Sequence, residues 1–251
     1  MERTKIITMD VDVTTLPLAV DRVLQLADIN QGAYVCVANV HMCMESFDSA
    51  SFCSVVNKAD LVIPDGKPLS IAQKLLGHEG ASQVRGQDIM NALCAASGEK
   101  SLNIGFYGGS SDAILDLVKS NLLGEYSDIK ISYSFSPPFR PLNDAEDADV
   151  IFEINDAEVD VLFVGIGCPK QEIWMAEHKE KLSCVMLGVG AAFDFIAGNK
   201  KHAPRWVQNM GLEWLFRLCS EPGRLWKRYL KQNPRFVWYF MQQWLLKRNF
   251  N

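Results

Sequence analysis

The residues with most chemical promise in this 251-residue chain sit where short apolar runs end. Asp65 lies between Pro64 and Gly66, after the apolar run 61–63, so its carboxylate belongs at a strand tip. An Asp in that setting is either a turn former or, in a cleft, a general base that takes a proton from an attacking hydroxyl. Asn39 closes the run 33–38 and offers either a cap to the next helix or a donor and an acceptor to a ligand. Gly108 and Gly109 precede Ser110 at a strand-to-helix passage. They make a tight turn there, or they let backbone N–H groups approach an anion at a helix N-terminus. Gly167 sits in a similar turn, and Gln171 and Glu172 follow in the first helical turn. An amide and a carboxylate at that place suit sugar hydroxyls or a uracil edge. Arg85, just before a helix, is a surface charge or a bidentate match for phosphate oxygens. Asp194 interrupts the apolar stretch Ala191-Ala192-Phe193-Asp194-Phe195 and needs a partner, whether structural or in a site.

Other chemistries are poorly supported. His41, His78, His178 and His202 are scattered, and the D-x-D pairs at 10–12 and 147–149 read as solvated charge. There is no G-x-S-x-G elbow for a nucleophilic serine. The glycine turns match neither G-x-G-x-x-G with its acidic partner nor the P-loop pattern.

The elements that must position these residues alternate in type. Apolar, β-rich runs at 6–9, 33–38, 61–63, 102–107, 129–133, 161–165 and 184–189 read as strands buried on both faces. Helical patterns fall at 16–30, 45–58, 68–76, 88–96, 110–123, 144–157 and 169–181. The alternation predicts an α/β fold, a Rossmann-like and largely parallel sheet with helices on both faces. Ligands of such sheets bind at the carboxyl ends of the strands. The proline-rich stretch 134–143 is a loop, and from Pro204 onward three proline-opened helices are expected at 204–219, 222–232 and 234–249. The domain reading is an α/β core at 1–197, with sub-lobes of about 1–100 and 101–197, and a helical appendage at 198–251.

The net charge of −5 hides a split. Residues 1–197 carry 14 Lys+Arg and 28 Asp+Glu, a net −14, whereas 198–251 carry 11 and 2, a net +9. Five of the six tryptophans also lie in that last segment. Basic residues beside an aromatic-rich helix compose an interfacial membrane segment, or the tail packs on the body through its apolar stripe. A nucleic-acid partner is disfavoured by the acidic body. Seven cysteines without a C-x-x-C pair read as reduced thiols, and no apolar run approaches the roughly 20 residues of a bilayer-spanning helix.

Several blocks carry a resemblance. They are N-V-H at 39–41, P-D-G at 64–66, V-R-G-Q-D at 84–88, F-Y-G-G at 106–109 and G-x-G-x-P-K-Q-E at 165–172. G-V-G-A-A-F-D-F-I-A-G at 188–198, A-P-R-W at 203–206, and G-L-E-W-L-F-R-L with E-P-x-R at 211–224 complete the set. In order and spacing they resemble the WecG/TagA/CpsF glycosyltransferase family across nearly the whole chain. The resemblance implies an inverting, metal-independent transferase without a cofactor. It would move a sugar of N-acetylmannosamine, N-acetylmannosaminuronic acid or glucose type from a UDP-sugar to a polyprenyl-diphosphate-linked saccharide. Asp65 would be the base, with Asn39, Arg85 and Gln171 as substrate contacts; by their own placement, described above, Gly108, Gly109, Gly167, Glu172 and Asp194 join that set. Arg217, Arg224, Lys227 and Arg228 would meet the lipid diphosphate and an anionic membrane surface. The expected location is cytoplasmic, on the inner leaflet, with a homo-oligomer compatible. An epimerase-like sugar-nucleotide enzyme and a non-catalytic, membrane-associated binding protein are the alternatives.

Overall fold

The computed structural model describes residues 1–200, 203–204, 206–207 and 210–249, with only the backbone at 224, 248 and 249. The chain opens with an antiparallel hairpin of β1 (Arg3–Ile6) and β2 (Met9–Asp12). Then follow α1 (Leu16–Ile29), β3 (Ala33–Ala38), α2 (Val40–Asp48), α3 (Ala50–Asn57), β4 (Leu61–Pro64), α4 (Lys67–Leu75) and α5 (Gly86–Lys100). The second half contains β5 (Asn103–Gly108), α6 (Asp112–Glu125), β6 (Lys130–Phe135), α7 (Asp144–Asp156), β7 (Val161–Gly165) and α8 (Lys170–His178). Next come β8 (Val185–Gly188) and α9 (Ala192–Ile196), and the appendage adds α10 (Glu213–Ser220) and α11 (Pro222–Asn249).

Strands β3 to β8 form one parallel sheet in the order β4-β3-β8-β7-β5-β6. The expected α/β class is thus what the chain adopts. Because side chains alternate along a strand, the sheet feeds two cores. Tyr34, Cys36 and Ala38 face a layer with α2, α3, α7, α8, the hairpin and α11, while Ala33, Val35 and Val37 face α1, α5, α6 and α9. Strands β3, β5, β7 and β8 are buried almost throughout, as their unbroken apolar runs require.

Several element readings need correction. The strand expected at 6–9 is a turn between two strands, with Ile7 in the left-handed region (φ 60°). The helix expected at 45–58 breaks at Ser49, whose extended backbone ends α2 and whose hydroxyl accepts from Phe52 N–H at 3.3 Å to start α3. In the D-x-D at 10–12 only Asp12 departs from solvated charge: it is 2% exposed and accepts from Val62 N–H at 2.7 Å and Arg3 Nε at 3.2 Å. The Val62 bond ties the hairpin to β4, and the Arg3 bond closes the hairpin itself.

The largest differences lie in the appendage. Of the helix expected at 204–219, Glu213–Ser220 is helical after Gly211, whose φ of 73° interrupts a right-handed helix. Residues 201, 202, 205, 208 and 209 lie outside the described residues, so A-P-R-W at 203–206 is covered only in part. The two helices expected at 222–232 and 234–249 are one, because α11 runs through Pro234. Proline removes the bond to the Leu230 carbonyl, but Leu230 is exposed and water can take that carbonyl. Docking holds both sides of the break. Leu225, Phe236 and Phe240 are buried, Gln232 Nε2 donates to Glu45 at 3.2 Å, and Arg235 pairs twice with Asp48.

Phe106 anchors the core beneath the strand tips, stacking on Phe163 at 5.9 Å and meeting Phe193 edge-on at 5.8 Å. Phe106→Ala should cost about 3–5 kcal/mol and lower the Tm by on the order of 10 °C. Thermal unfolding followed by circular dichroism checks this; an unchanged Tm would contradict the packing described.

Candidate active site

All six strands of the sheet point the same way, so their carboxyl ends converge on one edge. A cavity of about 1060 Å³ opens there. Asn39, Asp65, Gly109, Gly167 and Gly190 line it from five successive strand ends, and Arg217 and Arg228 reach it from the appendage.

Asp65 is held firmly. Its N–H donates to the Ala38 carbonyl at 2.8 Å, its carbonyl accepts from Gln83 Nε2 at 2.6 Å, and its Oδ1 accepts from Gly86 N–H at 3.0 Å. Burial pushes the carboxyl up to about 6. The Gly86 bond and the guanidiniums of Arg217 and Arg85 hold it down against that rise, and Glu213 adds to it. A carboxyl with such a pKa is ionised at neutral pH yet basic enough to accept a proton.

The neighbours are mostly charged. Arg85 donates from Nε to Glu213 at 3.1 Å and from a terminal nitrogen to Asp88 at 3.3 Å. Glu213 opens α10, and Arg217 lies one turn further along the same helix. Arg217 stacks over Phe195 at 5.2 Å, and Arg228 lies 5.3 Å over Tyr229. The Nε atoms of both arginines are buried without a hydrogen-bond partner among the described residues. Asp194 is paired with Lys200 Nζ at 2.7 Å, and that ammonium also meets Glu221 at 3.4 Å. His41, after Asn39, is pressed down to about 4 by burial and by Arg228, so it is neutral at physiological pH.

Other expected contacts take different roles. Asn39 caps α2, its Oδ1 accepting from Met42 N–H at 3.2 Å, while the residue also lines the cavity. The glycine turns shape the wall more than they offer free donors. Gly109 N–H donates to the Gly165 carbonyl at 3.1 Å, and Gly167 N–H to Gln171 Oε1 at 3.2 Å. Gly108 is outside the lining; its φ of 131° and the Gly165 backbone, 2.6 Å from where a Cβ would sit, require glycine. Glu172, expected to touch substrate, is fully buried behind the lining and bonded to Gln171. Lys227 is exposed outside the cavity, 5.6 Å over Trp226, and the Arg224 side chain lies outside the description.

The far end of the cavity was not foreseen. Tyr107, Trp174 and His178 stack at 4.3 and 4.1 Å there, and His178 Nε2 lies 3.0 Å from Asp147. The second D-x-D pair is therefore half engaged. Its signal was visible in hindsight: Trp174 and His178 lie four apart on α8, one face of a helix. The loop residues Pro137 to Leu142 also line the cavity. Among the described residues no group of His, Cys, Asp and Glu is arranged to hold a metal, and no helix is long and apolar enough to cross a membrane.

The chain as a whole is similar to known proteins. A family model described as "Glycosyl transferase WecG/TagA/CpsF family" matches residues 4–250. One curated relative is the N-acetylglucosaminyldiphosphoundecaprenol N-acetyl-beta-D-mannosaminyltransferase of Bacillus spizizenii. It is 28% identical over 211 residues, covering 84% of this chain and 79% of the relative. The Bacillus subtilis protein of the same name is 28% identical over 221 residues, covering 87% and 83%.

The raised pKa of Asp65 has a consequence for stability. Its folded value lies above the ordinary 3.8, so the neutral form favours the fold. That stability is complete below about pH 4 and is lost as pH rises through about 6. Asp65→Asn keeps the Gly86 acceptor without the buried charge. It should unfold at a higher temperature than the unaltered chain at pH 7.5, with the gap closing toward pH 4. Equal melting temperatures at both pH values would contradict the burial argument.

Proposed function

Because the chain belongs to the WecG/TagA/CpsF family of glycosyltransferases, we propose that it transfers N-acetylmannosamine from its UDP-sugar to a polyprenyl-diphosphate-linked saccharide, by inversion with Asp65 as the base. The product would serve a cell-wall or surface polymer. Two observations from the relatives support the substrates: both carry names for N-acetyl-beta-D-mannosaminyl transfer to N-acetylglucosaminyldiphosphoundecaprenol.

The observation that carries the mechanism is the Asp65 carboxylate, desolvated at a strand tip and bordered by arginines. In the proposed step an acceptor hydroxyl oxygen attacks the anomeric carbon from the face opposite the diphosphate. Its proton passes to Asp65, the bond from the anomeric carbon to the diphosphate oxygen breaks, and UDP leaves with the electron pair. Charge developing on that oxygen needs fixed positive partners, and Arg85, Arg217 and Arg228 border the same cavity. Arg85 enters the reaction by exchanging one of its carboxylate partners, Glu213 or Asp88, for a phosphate. Asn39, Gln171 and Asp194 remain candidate contacts to the sugar and nucleoside.

The appendage supports the acceptor side. It carries Arg217, Arg224, Lys227 and Arg228, and it leaves Trp206, Trp226 and Trp238 exposed beside Met210, Leu230 and Val237. Basic side chains with exposed aromatics favour an interfacial position on anionic lipid, at about 1 kcal/mol for each cation close to the surface. A lipid-linked acceptor would then present its diphosphate to the arginines on α10 and α11. We place the enzyme on the cytoplasmic leaflet, where UDP-sugars are available.

A panel of UDP-sugars with an N-acetylglucosamine-diphospho-polyprenol acceptor, read by mass spectrometry, tests the assignment. The expected product is one N-acetylhexosamine heavier, formed fastest from UDP-N-acetylmannosamine. Asp65→Asn should lower kcat by about 10²–10⁴ while UDP still binds. Turnover at the unaltered rate by folded Asp65→Asn would overturn the base assignment.

A further inference from the structure

Glu172 is the least explained charge in the protein. It is 0% exposed at the first turn of α8, and among the described residues its Oε2 has no hydrogen-bond partner and its carboxylate no ion-pair partner. Burial pushes its carboxyl up to about 7, against the opposing pull of the Gln171 amide, its own backbone N–H and the Cys168 thiol. A side chain kept only for packing would be apolar here, since an under-partnered buried carboxyl costs stability. The helix N-terminus offsets part of that cost and does not explain why the charge is retained.

Its one strong bond supplies the explanation. Gln171 Nε2 donates to Glu172 Oε1 at 2.7 Å, while Gln171 Oε1 accepts from Gly167 N–H at 3.2 Å. The Gln171 amide is therefore gripped at both ends, and Gln171 lines the cavity whereas Glu172 does not. Only one amide orientation satisfies both partners. Flipping it would set the amide nitrogen against the Gly167 N–H and the amide oxygen against the Glu172 carboxylate. Gly188 and Gly190, glycines at the end of β8, leave room for that amide: a Cβ on Gly188 would fall 2.9 Å from Gln171 Nε2.

We propose that Glu172 is a positioning residue for glycosyl transfer, fixing the Gln171 amide so that it meets substrate with a defined donor and acceptor. This rests on the function proposed above and goes beyond it, since Glu172 acts without touching substrate.

The test compares Glu172→Gln, Glu172→Met, Gln171→Ala and the double variant Gln171→Ala/Glu172→Met. It reads kcat/KM for transfer from UDP-N-acetylmannosamine, UDP affinity by calorimetry, and Tm. Gln at 172 still offers an oxygen to the Gln171 amide, so activity should stay within about threefold. Met has nearly the same shape without an acceptor. It should fold with an unchanged or higher Tm yet lose about 10–100-fold in kcat/KM, the scale of a misplaced reacting group. The double variant should be no worse than Gln171→Ala alone, because both changes remove one interaction. Full activity in folded Glu172→Met, or losses that multiply in the double variant, would overturn the positioning role while leaving the transferase reading intact. An unaltered chain that neither binds UDP nor transfers sugar would overturn that reading itself, and the positioning role with it.

Discussion

A carboxylate at the edge of a parallel sheet is costly to bury, and the arrangement of the cavity follows from how Asp65 is held there. The strand tip fixes its backbone through the Ala38 carbonyl, and the first residue of α5 donates to its side chain. Those bonds leave the carboxyl desolvated but not neutralised, so its pKa rises to about 6. A closer cation would make Asp65 a weaker base, and an apolar wall alone would leave it protonated. Arg85 has its charge compensated by Glu213 and Asp88, which keeps it near the carboxyl without quenching it.

The charge split of the chain acquires a structural meaning from the same constraint. The −14 segment builds the sheet, and acidic residues on α2 and at the tip of β4 find partners across the boundary with the +9 segment. Arg235 pairs with Asp48, Gln232 with Glu45, and Arg217 approaches Asp65. One link runs in reverse, since Glu213 of the appendage holds Arg85 of the body. The appendage thus closes one side of the cavity while its aromatic residues remain on the outer surface. In the proposed function, lipid diphosphate enters between these two charged segments.

Much of this was legible in the sequence where local rules decide the outcome. Apolar runs that alternate with helical patterns gave the sheet, and Pro64-Asp65-Gly66 at the end of one run placed the carboxylate at a strand tip. Local rules failed where tertiary contacts override them. Pro234 reads as a helix start, yet docking through Gln232, Arg235 and Phe236 carries α11 across it. Asp12 and Asp147 read as surface charge because Val62 and His178 come to them from 50 and 31 positions away. Its place in the first helical turn after Gly167 grouped Glu172 with the substrate contacts, and burial separates it from them. Glu213 carried no signal of its own; only the fold brings it to Arg85, 128 positions away.

The central claim is that a desolvated Asp65 accepts the acceptor proton. The pH dependence of kcat/KM tests it most directly, because the base works only when ionised. The account predicts a plateau above neutrality and a limb with an apparent pKa of about 6, falling tenfold for each unit below it. The limb should persist in Glu172→Gln, which removes the buried carboxyl behind the cavity wall that is pushed up to about 7. A rate that stays level from pH 8 down to pH ~4.5 in folded enzyme would contradict the account.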